Sequence, residues 1–508
     1  MPKPPALRIA LLGATALALL LAPALPAQTF DAIRNQVREH TLPNGMKWVV
    51  LERHEAPVVG YHVYADVGSA NEVSGITGLS HLLEHMAFKG SRTVGTKDYA
   101  AESVVLNRLD SLYALIRTAE DVVEPDTVRL ADLRKTFEET RQQAQQYVVN
   151  NEYFDLCMKE GDQGVNAYTS NDATQYINSQ PSNRLEFWMA LTSDRFLNPV
   201  FREFYKERDV VMEERRLSLE TRPIGKLIED FLAVSFKCHP YRHAVVGDMS
   251  DLRRITHQDV VDYFRKYYSP SNLVAAVVGD VDADAVFTMA ELYFGRIPSG
   301  PKPEAVRTEE PEQWGERHVQ VEAKSEPLVI VGYHKPSARS KDDPVFDAMA
   351  NIIGQGRSSR IYRALVKEQK VAVDAGFFNG WPGAKYPNLC AFYAFTAPGK
   401  SVTECLALVD AEIERIRTEP VTADELAKYK RQTTKSLIDQ MKGNAQMASL
   451  LTSYEVIQGD WRDLFDQLQR VQSITAADVQ RVAQATLVPR NRTVGELVPE
   501  SAETASAQ

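Results

Sequence analysis

Cysteine is scarce in this chain. The four residues Cys157, Cys238, Cys390 and Cys405 are scattered through 508 positions, with no C-x-x-C pair among them. That excludes a dense disulfide framework and leaves free buried thiols as the expectation, with Cys390 and Cys405, the closest in sequence, as the pair a single disulfide would join. An excess of positive charge is also missing. Lys and Arg total 58 against 68 Asp and Glu, a formal net charge of −10, which argues against nucleic acid and against an anionic membrane surface as partners. No long apolar run occurs beyond residue 21, so no membrane span is expected in the mature chain. Histidine is rare as well, with 10 residues, and their placement therefore carries information.

The first residues point to export. Lys3 and Arg8 form a short basic region, Ile9 to Leu21 is almost unbroken apolar sequence, and Pro23 to Ala27 is a proline and small-residue segment. This is the pattern of a secretory signal peptide covering residues 1–27, cleaved after Ala27. The apolar run is shorter than the ~20 residues a spanning helix needs, and no Cys follows it to carry a lipid. A periplasmic protein starting near Gln28 is expected. Some 480 residues then remain, more than one hydrophobic core serves, so two or more domains are expected.

The chemistry concentrates between Ser80 and Gly90, SHLLEHMAFKG. On a helix, residues three and four apart share a face, so His81, Glu84 and His85 project into one small volume. Two neutral imidazoles at this spacing suit Zn²⁺, and the carboxylate between them stands where a general base for an attacking water must stand. The order H-x-x-E-H is the reverse of the H-E-x-x-H zincin helix. A polar helix carrying two histidines by chance is the competing reading, and the apolar neighbours Leu82, Leu83, Met86 and Phe88 make it the weaker one.

The surrounding sequence fits a strand that feeds this helix. An Asn44-Gly45 turn precedes a first strand at Trp48–Glu52, and Val58 to Val67 reads as a second. A strand ending in DVGSANE followed by GLSHLLEHMAFKGS resembles the pitrilysin or insulin-degrading-enzyme family of zinc metallopeptidases, in particular its shorter bacterial and mitochondrial-processing-type members. The resemblance covers Thr41 to Leu497. It implies an α+β fold of the LuxS and mitochondrial-processing-peptidase type, with two homologous α/β-sandwich-like halves facing each other across a cleft.

On that resemblance the third metal ligand is a Glu on a later helix. Glu207 and Glu214 lie seven residues apart in YKERDVVMEERR and share a helix face. The family pattern makes Glu214 the ligand and Glu207 the partner that orients a histidine, whereas Glu213 points about 100° away. One zinc per chain is implied. Asn166, Ala167 and Thr169, in a segment like the family's edge strand beside the metal, are the implied substrate-facing positions, where an extended peptide adds through main-chain hydrogen bonds. His239 and His243 are read as structural.

Two departures stand out. His85 and Glu214 are 129 residues apart, farther than is usual in that family, and the excess falls at about 101–152. There Leu106, Leu109, Leu112 and Leu115, then Val128, Leu130, Leu133 and Phe137, recur at helical spacing around Pro125. An inserted antiparallel helix pair is expected, with an inert surface excursion as its default role. The expected organisation is a catalytic half at 28–298, a Pro- and Gly-rich linker at 299–314, an inactive repeat at 315–497 and a disordered tail at 498–508. Aligning Gly90 with Gly356 puts Asp347, Ala350 and Asn351 at the three motif positions of the repeat. The second departure lies in that half, where family members carry an Arg and a Tyr that hold the substrate backbone. Ala364–Val373 offers neither, and Lys367 or Tyr362 would have to substitute.

The reading is an exported zinc metalloendopeptidase that hydrolyses short or unfolded peptides, acting as a homodimer or as a heterodimer with a related chain that supplies the Arg and Tyr. A zinc-bearing subunit inactive alone and a non-catalytic peptide-binding or chaperone-like module are the alternatives. A non-catalytic assembly subunit of a processing complex or a peptide-binding module would not need Glu84, and the peptidase does.

Overall fold

Two runs of β-branched sequence, Leu273–Gly279 and Leu328–Lys335, become the centres of two sheets. The computed structural model describes residues 24–500. Residues 1–23, on which the signal-peptide reading mostly rests, and 501–508 lie outside the described residues. A helix at Ala24–Gln36 runs through the expected cleavage point.

The first sheet contains β1 (Val37–Thr41), β2 (Lys47–Glu52), β3 (Val58–Ala65), β4 (Asn166–Thr169), β5 (Thr174–Pro181) and β6 (Leu273–Gly279), in the order β1-β2-β6-β3-β5-β4. The second contains β7 (Arg317–Ala323), β8 (Leu328–Lys335), β9 (Ala372–Trp381), β10 (Asn388–Thr396) and β11 (Arg492–Pro499), in the order β7-β11-β8-β10-β9. Each sheet has one parallel pair, β2 with β6 and β7 with β11, and is otherwise antiparallel. Without β1, the two sheets repeat the same succession of partners and directions, so the fold is an α+β repeat of two halves. β11 takes in Val498 and Pro499, so these two residues belong to the sheet rather than to the tail, because each pairs with β7.

The helices that position the site are α1 (Leu79–Met86), α2 (Tyr99–Glu120), α3 (Thr127–Gln145), α4 (Phe204–Arg215), α5 (Pro223–Ser235), α6 (Asp343–Gly354) and α7 (Asn444–Ser453). α1 follows β3 as α6 follows β8.

Period-two alternation along the strands decides how the halves join. Trp48 and Val50 of β2, with Ala275 and Val277 of β6, face the core built under the first half's own helices. Val49, Leu51, Ala276 and Val278 face the other way, onto Met447, Ala448 and Leu451 of α7 from the second half. The exchange is mutual. Leu328 and Ile330 of β8, with Leu497 of β11, pack on Leu227, Phe231 and Leu232 of α5 from the first half. Both sheets are therefore covered on both faces, which is why β3, β6 and β8 read as nearly continuous apolar runs. α7 comes so close to β3 that a Cβ at Gly60 would lie 2.4 Å from the backbone nitrogen of Ala445.

Residues 298–316 carry no helix or strand. This strap is pinned where Glu310 accepts the backbone N–H groups of Lys237, Cys238 and His239 at 2.7, 3.0 and 3.1 Å. All four cysteines are free. Cys157, Cys390 and Cys405 are buried, as expected, and Cys238 is exposed.

Candidate metal centre

α1 is short and needs help to hold its first turn. Glu72 supplies it. Its buried carboxylate accepts the N–H of Gly78 at 2.7 Å and of Ser80 at 2.6 Å, two of the donors a helix start leaves unpaired. Leu79, Leu82, Leu83 and Met86 drive one face of α1 into the core, which leaves His81, Glu84 and His85 on the opposite face.

α4 crosses that face. His81 Nε2 and His85 Nε2 each lie 3.8 Å from a Glu214 oxygen, too far for a hydrogen bond. One ligand atom from each of His81, His85 and Glu214 falls within 4.8 Å of the others, the only such group of three or more among the described residues. Ligands around a tetrahedral zinc at about 2.0–2.1 Å sit about 3.4 Å from one another, so the spacing leaves room for an ion. The donor set fits zinc in its chemistry too. The imidazole planes stand at 74° with centroids 4.8 Å apart. Burial, reinforced by the charge of His85, pushes the His81 pKa down to about 4 and so holds that ring neutral, the form that ligates. His81 Nδ1 is buried without a partner.

Glu207 stands behind His85, its Oε2 at 3.6 Å from Nδ1, while its Oε1 takes Lys89 Nζ at 2.5 Å. Burial alone would raise the Glu207 pKa, but His85 and Lys89 outweigh it and hold the group at about 2. The Glu207 carboxylate at 3.6 Å raises the pKa of His85 against a smaller opposing effect of burial. Lys89 also reaches Glu203 at 3.3 Å. Glu213 turns away to pair with Arg216 at 2.6 Å and stays exposed.

Glu84 ligates nothing in this group. Thr169 Oγ1 donates to its Oε2 at 2.7 Å, and burial raises its pKa, with the Thr169 hydrogen bond opposing. β4 is the edge of its sheet. Of its three candidate residues, Asn166 is exposed and lines a cavity together with Glu84 and His85. The Ala167 methyl is buried in the core because alternate strand residues face opposite sides, and the Thr169 hydroxyl is spent on Glu84. His239 lies among Phe236, Tyr241 and Tyr386, and His243 lies 3.7 Å from Asp248, so both are outside the metal group.

The helix pair α2–α3 is more than a surface excursion. Glu102, from the first turn of α2, is fully buried against Arg202 at 3.0 Å. Asp110 accepts from Tyr205 Oη at 2.9 Å and pairs with His257 Nδ1 at 2.8 Å, and Arg208 donates to Tyr113 Oη at 2.5 Å. The insertion thus braces α4, which bears Glu207 and Glu214. Its Leu115 and Val128 face solvent instead of an interior. Lys89 lies three residues past the end of α1, so helical spacing does not place it beside Glu207. The Thr169–Glu84 and Glu102–Arg202 contacts join distant segments and have no local signal.

Residues 48–107 match the Insulinase (Peptidase family M16) model, and residues 254–433 match the Peptidase M16 inactive domain. The chain is 26% identical over 451 residues to the zinc protease PqqE of Helicobacter pylori, covering 87% of this chain and 88% of that protein. A crystal structure of a protease from Helicobacter pylori superimposes with a TM-score of 0.76 at 25% identity, over 91% of this chain and 99% of that one. The first half of the periplasmic protease PqqL from Escherichia coli shares the fold, with a TM-score of 0.65 at 17% identity and 93% of each chain covered.

Proposed function

Since the chain belongs to the insulinase family of peptidases, M16, we propose that it is a zinc metalloendopeptidase that cleaves short or unfolded peptides outside the cytoplasm. The observation that carries this reading is the convergence of His81, His85 and Glu214 beside a Glu84 that is free of the group. Three ligands and an adjacent carboxylate suit catalysis, since a structural zinc site is closed by four.

His81, His85 and Glu214 would hold the metal. Bound there, zinc supplies Lewis-acid polarisation of a peptide carbonyl and a lowered pKa for water. Glu84 handles the proton. Thr169 occupies Oε2, so Oε1 takes the proton of the attacking water and returns it to the leaving amine. Its raised pKa brings the carboxyl nearer to the working range of a base that must also act as an acid. Glu207 stands behind His85 Nδ1 at 3.6 Å and favours that ring orientation, and Lys89 keeps Glu207 ionised. An extended substrate joins the free edge of β4 through its backbone.

A second chain completes the site in this reading. The Glu214 side chain is 47% exposed, and the second half brings no Arg and Tyr pair at Ala364–Val373. A second copy or a related chain supplies the missing cover and backbone contacts. The basic and apolar N-terminus supports a periplasmic location, and among the described residues no helix is long and apolar enough to cross a membrane.

The test is hydrolysis of a quenched, unstructured peptide by the purified mature chain. Cleavage is expected to fall about 10²–10⁴-fold in Glu84→Gln while zinc is retained. Zinc without cleavage in the wild type would transfer the activity to a complex with a partner chain. Equal cleavage by Glu84→Gln would refute the mechanism.

A further inference from the structure

A polar contact between the halves lies beside the apolar one that α5 makes, with Tyr241 and Tyr386 part of both. The turn joining β4 to β5 is residues 170–173, closed by Ser170 N donating to the Ala173 carbonyl at 2.8 Å. Asp172, in this turn, is buried, at 6% exposure. All its bonds outside the turn go to ordered, distant segments. Oδ1 accepts from Tyr241 Oη, and Oδ2 accepts the backbone N–H groups of Ala384 at 2.6 Å and Lys385 at 3.0 Å. Ala384 and Lys385 belong to the loop between β9 and β10 of the second half. Lys385 Nζ then pairs with Asp66 at the end of β3, both side chains nearly buried, and Tyr386 N donates to Tyr241 Oη at 3.2 Å. The fit is close enough to require glycine at 383, where a Cβ would lie 2.5 Å from Tyr241 Oη and 2.7 Å from Asp172 Oδ2. A buried carboxyl group that loses such bonds leaves its oxygens and their donors unpaired, which costs more than the bonds contribute.

Both sides of this contact lead to the same helix. Thr169, the last residue of β4, precedes the turn directly and donates to Glu84 Oε2 at 2.7 Å. On the other side, the carbonyls of Ser170 and Asn171 accept from Ser69 N at 3.2 Å and Ala70 N at 2.9 Å, and Asn171 Nδ2 donates to Ser69 Oγ at 3.1 Å. That segment continues into Glu72, whose carboxylate holds the first turn of α1.

We infer that Asp172 is a positioning residue through which the inactive half holds Thr169, and with it the Glu84 carboxylate, in register. The inference rests on the peptidase reading of Glu84. The second half thereby contributes to the reaction although it carries none of the motif.

The full chain is compared with Asp172→Asn, Thr169→Val, Thr169→Ser and the double variant Asp172→Asn/Thr169→Val, using the quenched peptide, zinc content and hydrogen exchange. Asn loses a bond in either orientation: Nδ2 faces the two backbone donors, or Oδ1 takes them and the Tyr241 hydroxyl loses its acceptor. Asp172→Asn is expected to lower kcat about tenfold to a hundredfold, the scale of a misplaced catalytic group. KM should stay within about threefold and zinc should be retained, since the lost interaction matters at the chemical step. Thr169→Val should behave alike and Thr169→Ser should recover. The double variant should be no slower than Thr169→Val within about twofold, since both residues act through one contact. An unchanged kcat in Asp172→Asn, or losses that multiply in the double variant, would overturn the inference. Hydrogen exchange reads the latch without activity. Asp172→Asn, and Gly383→Ala entering the same contact from the loop side, should speed exchange about tenfold or more at residues 69–72 and 170–174. Unchanged exchange in both overturns it. A wild type that cleaves nothing would defeat the peptidase reading, and the exchange result would then decide the latch by itself.

Discussion

The two halves run the same strand order through different chemistry. In the first, β3 leads to α1 with His81, Glu84 and His85; in the second, β8 leads to α6 with Asp347, Ala350 and Asn351 at the corresponding places. Each edge strand reaches its helix at a different motif position. Asn379 of β9 donates to Asp347 Oδ1 at 2.8 Å, at the place of His81, whereas Thr169 of β4 donates to Glu84 Oε2 at 2.7 Å. What differs is how far each site is satisfied from within. In the second half Lys335 Nζ, nearly buried, pairs with Asp343 at 2.5 Å, and burial together with the Asp343 charge raises the pKa of Asp347. A cation is already built in. In the first half the two imidazoles face Glu214 at 3.8 Å without bonding it. A scaffold of this kind is indifferent to the residues it presents, and function lies in the few side chains grafted on it.

If each half shields the other's sheet, the largest stability loss should come from the exchanged helices. Phe231→Ala removes a fully buried ring that α5 places on the second sheet and should cost about 3–5 kcal/mol, seen as one shifted denaturant transition with both halves melting together. Separate transitions for the two halves would break the comparison. Next in size, Glu207→Gln should weaken zinc affinity about 10–100-fold by chelator competition, whereas Asp347→Asn in the other half should leave it unchanged. Gly60→Ala should cost about 1–3 kcal/mol by pushing α7 off β3, with no change in the metal site of the isolated fold. The smallest effect concerns acid. Arg360 grips Glu425 bidentately at 2.8 and 2.7 Å and, against burial, holds its pKa at about 2 instead of 4.5. Because the folded value is depressed, this contribution is complete above pH 4.5 and fades as pH falls towards 2. Glu425→Gln should therefore cost about 1–2 kcal/mol at neutral pH and little once pH falls to about 2.

Much of the site was legible because it obeys helical spacing. His81, Glu84 and His85 lie on one turn, Glu207 and Glu214 on one face, and the repeat showed itself as a second strand-and-helix pattern with its glycine at 356. The insertion could be read as two helices around Pro125, but its buried Glu102 could not. A single Glu in a charged helix gives no sign that Arg202, a hundred residues on, will meet it. Nor does alternation along β2 tell that its outer face is covered by α7, nearly four hundred residues later. Asp172 reads as a turn residue and acts as the meeting point of three segments. Local periodicity reports which face is buried, and only the tertiary fold decides what buries it.

The most direct test of one working centre in two similar halves is the zinc content of the purified chain by elemental analysis. Wild type and Asp347→Asn should each hold about one zinc, and His85→Ala and Glu214→Ala well under half, as expected when one of three ligands is removed. Undiminished zinc in His85→Ala and Glu214→Ala, or a loss on changing Asp347, would contradict the account.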